Sequence, residues 1–266
     1  MHVSRLESGT NASEHLLTRI KRVLSGEDFS SKGYEFDVVE DSHSNWEVSY
    51  VFHPTRVTGD RVFCNFEKNY DGYLIHCDAV GSDSRASEDA DHLITAFNTC
   101  IYTLGDLSSV QAIYKSLNKT IKKNREIWRD KPSALLFRLH EGTNRIEFIN
   151  AGMPKPLLLK GTGKILGEYN HKTWPPIGNL RKQEKYTVDF LDLEPGDIFI
   201  TFSDGFIANF NKFADVKLSK QIESLSRFQK GSTRSLLMRL MKNFGYNIQY
   251  QDLSDDISCL MIRNLG

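Results

Sequence analysis

The segment LEPGDIFITFSDGFIANFN, residues 193–211, carries the most informative pattern in this chain. Its central run IFITF (198–202) is rich in β-branched and aromatic residues and predicts a buried strand. Asp204 follows this strand almost directly and precedes a glycine. Because Asp is unfavourable inside strands, a carboxylate at this position belongs either to an Asp-Gly turn or to a ligand site at the rim of a sheet.

Three other acidic sites repeat this placement beside apolar strands. Asp60 stands in VTGDRVF, Asp78 ends YLIHCD, and Asp255 with Asp256 opens DDISCLMIR. A turn explains any one of them, but four such placements together favour a shared function. Carboxylates without His or Cys favour a hard cation, Mg²⁺ or Mn²⁺, and disfavour zinc. Two such ions about 3.5–4 Å apart can activate water and clamp a phosphoryl group, so no Ser, Cys or His nucleophile is needed.

The order of the predicted elements indicates an α+β protein. Strands are predicted in blocks within 34–78 and 133–202, with a last strand at 256–263. Helices are predicted at 13–25, 87–104, 108–128, 216–228 and 233–243. Consecutive strand blocks favour antiparallel sheets over a doubly wound parallel sheet.

Composition excludes several classes of protein. Lys and Arg total 34, as do Asp and Glu, so the formal net charge of zero gives no reason to expect nucleic acid or an anionic membrane as a partner. No apolar run is long enough for a transmembrane helix, and the polar start of the chain is unlike a signal peptide. Four scattered cysteines predict reduced thiols and a cytoplasmic protein; they are Cys64, Cys77, Cys100 and Cys259.

These motifs, in this order, resemble the PPM (type 2C) protein phosphatases, and the SpoIIE/RsbU branch in particular. LEPGDIFITFSDGFIANFN resembles the branch signature L-x-P-G-D…D-G, and FINAGMPKPLLL (148–159) is similar to NAGHPPPLLL. PPIG (175–178) and DDISCLMIR (255–263) match the family's following turn and last strand. FHPTRVTGD (52–60) and CDAVGSDS (77–84) resemble its two upstream motifs. The resemblance spans roughly residues 13–263.

The resemblance implies an αββα sandwich: two antiparallel sheets flanked by helices, with two Mn²⁺ or Mg²⁺ ions at one end. It implies that Asp78 bridges both ions, with the Ala79 carbonyl beside it. Asp204 and Asp255 would hold the second ion, and Asp60 would orient metal-bound water. The implied reaction is hydrolysis of phosphoserine or phosphothreonine on a protein, with a STAS-type anti-sigma-factor antagonist or a similar signalling protein as substrate.

Two positions differ from the family pattern. Phe63 stands where the family has a second Asp, and Gly81-Ser82-Asp83 replaces a Gly-His-Gly turn. All four carboxylates are nevertheless retained, which favours an active enzyme. A pseudophosphatase that binds a partner without turnover, and a metal-dependent hydrolase of small phosphoesters, are the alternatives.

The predicted organisation is a tail and regulatory or linker helix over 1–30, followed by a phosphatase domain over 31–266. The helix at 13–25 places its apolar residues on one face: Leu16, Ile20, Val23 and Leu24. Such a short helix is marginal alone, so it must pack on something. Its own domain, a second copy in a homodimer, and an upstream sensor or receiver domain are the alternatives.

Overall fold

The computed structural model describes residues 38–53, 59–66, 71–81, 84–105, 109–124, 126, 128, 130–179, 186–213, 218–228, 230–245 and 253–266. The helix predicted at 13–25 and the boundary predicted at residue 30 lie outside the described residues, so both stay predictions.

Twelve strands are described. They are β1 (Val38–His43), β2 (Trp46–His53), β3 (Asp60–Asn65), β4 (Gly72–Asp78), β5 (Ser133–Leu139), β6 (Arg145–Ala151), β7 (Leu157–Leu159), β8 (Ile165–Glu168), β9 (Thr173–Trp174), β10 (Asp189–Asp192), β11 (Ile198–Phe202) and β12 (Ile257–Asn264). Five α-helices accompany them. They are α1 (Ser84–Leu104), α2 (Val110–Lys123), α3 (Asp204–Phe213), α4 (Leu218–Leu225) and α5 (Thr233–Gly245), with a 3₁₀ turn at Ser226–Phe228.

The strands form two six-stranded sheets. The first has the order β1-β2-β12-β11-β7-β8, and every pairing in it is antiparallel. The second has the order β10-β6-β5-β4-β3, again antiparallel, and the short β9 adds to β6 in parallel. The predicted α+β class with two antiparallel sheets is confirmed.

Alternation along the strands explains how the sheets are layered, because successive side chains point to opposite faces. In β4, Leu74 packs in the apolar layer between the sheets, with Phe199 and Leu260 of the first sheet. Its neighbours Tyr73 and Ile75 pack instead against α1 and α2. Helices α3 and α5 contact the outer face of the first sheet. The layers are therefore helix, sheet, sheet, helix, as the family resemblance implied.

Local sequence patterns were sufficient to predict helices α1 and α2. On α1, apolar positions at helical spacing are buried; they are Leu93, Phe97, Cys100 and Ile101. Helix α2 starts at the N-cap Ser109, whose hydroxyl accepts the Ala112 N–H. It ends at Lys123, earlier than the predicted 108–128.

Helix α3 was not predicted, because Asp204-Gly205 looks like a turn that ends a strand. In the structure Asp204 is the first residue of this helix. A negative side chain is favourable in a first turn, where backbone N–H groups have no partners within the helix. No helix in the described part of the chain is both long and apolar enough to cross a membrane.

Candidate active site

Asp60 and Asp78 are brought together by the register of two strands. Asp60 is the first residue of β3, Asp78 is the last of β4, and the two are direct partners across the antiparallel pair. Asp60 is only 2% exposed. The Ala79 N–H donates to the Gly59 carbonyl at 3.1 Å and extends the pairing by one step. A Cβ at position 59 would lie 2.2 Å from the Ala79 oxygen, so this approach requires glycine.

The other two sites come from the first sheet. Asp204 follows β11, and Asp255 lies in the loop just before β12, the strand that pairs with β11. At Gly205 a Cβ would lie 2.0 Å from the Asp256 carbonyl oxygen, so the start of α3 is pressed against this loop. The two sheets are also joined here, since Asp256 Oδ2 accepts the Gly59 N–H at 2.9 Å.

The carboxyl groups raise one another's pKa. Burial raises the pKa of Asp78 well above its ordinary value, and the charges of Asp60 and Asp204 add to the rise. Burial also raises the pKa of Asp60, with further contributions from Asp256 and Asp255. The pKa of Asp255 is raised by burial and by the nearby charge of Asp204. Negative charge from both sheets is therefore concentrated at one rim of the sandwich.

The charge of Asp204 and hydrogen bonding with its side chain both contribute to the raised pKa of Asp78. Two ionised carboxylates cannot donate to each other, so their approach favours a shared proton or a shared cation. Among the described residues, no three His, Cys, Asp or Glu side chains are grouped closely enough to hold a metal ion in this arrangement. The donor set of carboxylate and carbonyl oxygens nonetheless fits Mg²⁺ or Mn²⁺ by its chemistry, because these ions prefer oxygen ligands.

Hydroxyl groups support Asp60 from the first sheet. Ser203 and Ser258 each hydrogen-bond its carboxylate, which partly offsets the rise in its pKa. Both serines are fully buried. They are joined to each other as well, because the Ser258 N–H donates to Ser203 Oγ at 3.0 Å. Neither serine was predicted as a site residue, since Ser203 directly after β11 and Ser258 within β12 have no pattern that separates them from ordinary buried hydroxyls.

Asn209 holds the loop that carries Asp255. Its Nδ2 donates to the Gly205 carbonyl at 2.8 Å and to the Asp255 carbonyl at 3.0 Å. Its Oδ1 accepts the Ser254 N–H at 2.9 Å and the Ser254 hydroxyl at 3.0 Å. All the capacity of the fully buried amide is used to join α3 to this loop. One weak pattern marks this residue in the sequence, a polar side chain four positions, or one helical turn, after Gly205.

The two departures from the family pattern lie in different surroundings. Phe63 packs edge-on against Phe97 of α1, with ring centroids 6.4 Å apart. It therefore faces the helical layer, whereas Asp60 contacts the first sheet. Gly81 has a φ of 111°, which favours glycine. Ser82 and Asp83 lie outside the described residues.

The fold is shared with solved phosphatase structures at low sequence identity. One holds the RsbU and RsbW domains of a Mycobacterium tuberculosis protein: TM-score 0.61, 16% identity, 86% of this chain covered and 59% of that one. A second is RsbX in complex with magnesium: TM-score 0.59, 16% identity, 86% and 99% covered. A third is the PP2C phosphatase domain, with a fragment of the regulatory domain, of SpoIIE from Bacillus subtilis: TM-score 0.62, 15% identity, 88% and 64% covered.

The chain thus spans less than two thirds of the length of two of these three structures. No curated protein sequence matches it. The family model for Stage II sporulation protein E matches residues 71–264, which include β4 with Asp78, the β11–α3 junction with Asp204, and the loop with Asp255. The chain belongs to the SpoIIE family, whose fold is that of the PP2C (PPM) phosphatases.

Proposed function

We propose that this chain is a metal-dependent protein phosphatase that hydrolyses phosphoserine or phosphothreonine on a bacterial signalling protein. The observation that carries the proposal is the meeting of carboxylates from both sheets at one rim, where Asp60 lies opposite Asp78 in the strand register and Asp256 accepts the Gly59 N–H across the two sheets. A cluster of like charges is costly in an empty site, because each carboxylate raises the free energy of the next. Divalent cations would neutralise these charges, and the repulsion relieved in this way would add to their binding affinity.

The residues divide into ligands and supports. Asp78, with the Ala79 carbonyl beside it, would hold both ions, and Asp204 and Asp255 would hold the second. When bound, Mn²⁺ or Mg²⁺ would neutralise phosphoryl charge and lower the pKa of water. Asp256 is assigned a structural role, because its Oδ2 already accepts the Gly59 N–H.

Asp60 orients the attacking water in this proposal. Its carboxylate is fixed by the hydroxyls of Ser203 and Ser258 and lies opposite Asp78 in the strand register. Two donors hold the buried carboxylate in one orientation, so its remaining lone pairs face fixed directions. It thereby contributes orientation without covalent chemistry.

The proposed substrate and location follow from the resemblance to the family. A STAS-type anti-sigma-factor antagonist, or a similar small signalling protein, is the proposed substrate, and neither nucleic acid nor a membrane is a proposed partner. Three of the four cysteines are buried and all are free thiols, which suits the cytoplasm. The 13–25 helix is proposed to couple this domain to a second copy or to an upstream sensor or receiver domain.

A pseudophosphatase is the second candidate. Two observations favour it: Phe63 in place of a carboxylate, and the lack of an assembled group of three ligands in the described part of the chain. Such a protein would keep the sandwich and bind its partner without turnover.

An assay with two substrates separates these candidates. The full chain is incubated with Mn²⁺ and either p-nitrophenyl phosphate or a phosphorylated STAS-domain protein. Turnover of the phosphoprotein supports the proposal, and turnover of the small ester alone indicates a small-phosphoester hydrolase. Binding of the phosphoprotein without turnover of either substrate would identify a pseudophosphatase.

A further inference from the structure

A polar bridge crosses the layer between the two sheets. His76 lies in β4 two residues before Asp78, on the strand face that carries Leu74 into this layer. Its Nδ1 is 2.7 Å from Thr201 Oγ1 of β11, and its Nε2 is 2.7 Å from Ser258 Oγ of β12. All three side chains are fully buried. A buried polar group is costly unless every hydrogen-bonding atom has a partner, and here both ring nitrogens have one.

The bridge continues to Asp60. Ser258 hydrogen-bonds the Asp60 carboxylate as well as His76, so one hydroxyl joins the imidazole to the site. Ser203 makes a parallel contact to Asp60. Its Oγ accepts the N–H groups of Ser258 and Phe206 at 3.0 and 3.2 Å, and its proton has two acceptors in reach, the Asp60 carboxylate and the Asp256 carbonyl 3.5 Å away. The oxygens of both hydroxyls beside Asp60 are thus themselves held in place.

One arrangement of protons satisfies the whole chain of contacts. A carboxylate can only accept, so the Ser258 proton points to Asp60. Ser258 Oγ must then accept from the imidazole, which places the ring proton on Nε2 of His76. Nδ1 carries the lone pair and accepts the Thr201 hydroxyl. A ring with one donor and one acceptor nitrogen is a neutral imidazole, so these contacts themselves require the neutral form of His76.

We propose that His76 is a positioning residue for Asp60, acting through the Ser258 hydroxyl as a neutral imidazole protonated on Nε2. The inference rests on the proposed function, since Asp60 matters for turnover only if the site hydrolyses phosphoesters. His76 does not reach the reacting atoms itself. It fixes the rotation of one hydroxyl, and that hydroxyl fixes the carboxylate, in the way that partners behind a ligand set its orientation.

The test compares variants that break the bridge with one that breaks an unrelated buried bond. His76→Leu removes the imidazole, and Ser258→Ala removes only the link to Asp60. Ser49→Ala is the matched control, because Ser49 and Thr233 form a fully buried hydroxyl pair at 2.7 Å that involves no residue of the site. Turnover of p-nitrophenyl phosphate, Mn²⁺ affinity by calorimetry and melting temperature are measured for each full-length variant.

We expect His76→Leu and Ser258→Ala each to lower kcat or Mn²⁺ affinity by about 10–100-fold. The double variant should be little worse than either single one, because both changes break one chain of contacts. Ser49→Ala should match their loss of melting temperature while keeping kcat and Mn²⁺ affinity. If the bridge variants instead behave like Ser49→Ala, the bridge only stabilises the fold and the proposal is overturned.

A measurement on the unmodified protein tests the inference even if the variants do not fold. The ¹⁵N shifts of the His76 ring report its tautomer, and we expect protonation on Nε2. A ring protonated on Nδ1 would contradict the proposed chain of donors. If the unmodified protein neither binds Mn²⁺ nor hydrolyses either substrate, the proposed function fails as well. If it does both while the bridge variants match the control, only the inference about His76 fails.

Discussion

Asp78 is the residue on which the candidate site depends most, because it lies at the meeting point of the other carboxylates. It pairs with Asp60 in the strand register, and the charge of Asp204 contributes to its raised pKa. We predict that Asp78→Asn and Asp204→Asn each reduce turnover by at least about 100-fold at saturating Mn²⁺, since each removes a ligand. Steady-state assays with p-nitrophenyl phosphate measure this loss. Near-normal turnover in either variant would show that the site has been assigned to the wrong residues.

The same two variants should keep the fold. Burial and neighbouring charge raise the pKa of Asp78, so its ionised form opposes folding of the metal-free chain. Replacing it with a neutral amide of similar shape should leave the melting temperature unchanged or raise it. A large drop would mean that the carboxylate is structural.

The pH dependence of the metal-free protein follows from the same shifts. The carboxyls of Asp60, Asp78 and Asp255 all have a raised pKa in the folded state. The native state therefore binds protons more tightly than the unfolded chain, and the free energy of unfolding falls as pH rises. The contribution is fully present below the ordinary carboxyl pKa of about 4 and is lost as pH rises through the raised values.

We therefore predict that, in the presence of a chelator, the melting temperature falls from about pH 5 to about pH 8. Asp78→Asn should flatten this dependence, because it removes one of the shifted groups. Melting curves across this range measure both effects. A melting temperature that rises over this interval in the metal-free protein would contradict the prediction.

At the scale of elements, the junction of α3 with the loop before β12 holds half of the candidate site. We predict that Asn209→Ala weakens Mn²⁺ binding and destabilises the fold by about 1–3 kcal/mol, because its buried partners lose their hydrogen bonds. Asn118→Ala is a matched control: Asn118 on α2 is also buried, donates to the Tyr114 carbonyl and accepts the Gly178 N–H. Calorimetry should show lower Mn²⁺ affinity only for Asn209→Ala. An equal effect of both variants would indicate a general loss of stability.

Elements with a strong local pattern were predictable from the sequence, and those defined by distant contacts were not. Strands β4, β5 and β6 and helix α1 follow directly from their apolar periodicity. The short strand β9 has only two residues, and its partner β6 determines it rather than its own sequence. Helix α3 was missed because Asp204-Gly205 satisfies the local rule for a turn as well as that for a helix start.

In the candidate site, too, residues with a local pattern were predictable and those defined by distant contacts were not. Each carboxylate was detectable because an Asp beside an apolar strand is locally unfavourable. The bridge through His76 was not, since His76 meets Ser258 and Thr201 only when the two sheets pack face to face. Strand alternation did place His76 on the same face as Asp78. Its partners across the layer depend on the relative position of the two sheets, which periodicity within a strand does not determine.

At the scale of the whole molecule, the carboxylates belong to two different sheets. Asp60 and Asp78 come from the second sheet, and Asp204 and Asp255 from the ends of strands in the first. An ion bound among them would link the sheets, so unfolding of the sandwich would require its release. We predict that Mn²⁺ at 100 times its Kd adds about 2.7 kcal/mol to the free energy of unfolding. Denaturant melts with and without Mn²⁺ measure the gain, which Asp78→Asn should abolish.

The position of β12 in the middle of the first sheet has a consequence for synthesis on the ribosome. This strand pairs with β2 on one side and β11 on the other, and its Ile257 lies opposite His53. A nascent chain that has made β1 and β2 therefore carries an open strand edge until the segment with β12 leaves the exit tunnel. Asp255 emerges just ahead of that strand. Closure of the sheet and delivery of the Asp255 carboxylate thus coincide, so a chain stopped before β12 has neither a complete first sheet nor a complete candidate site.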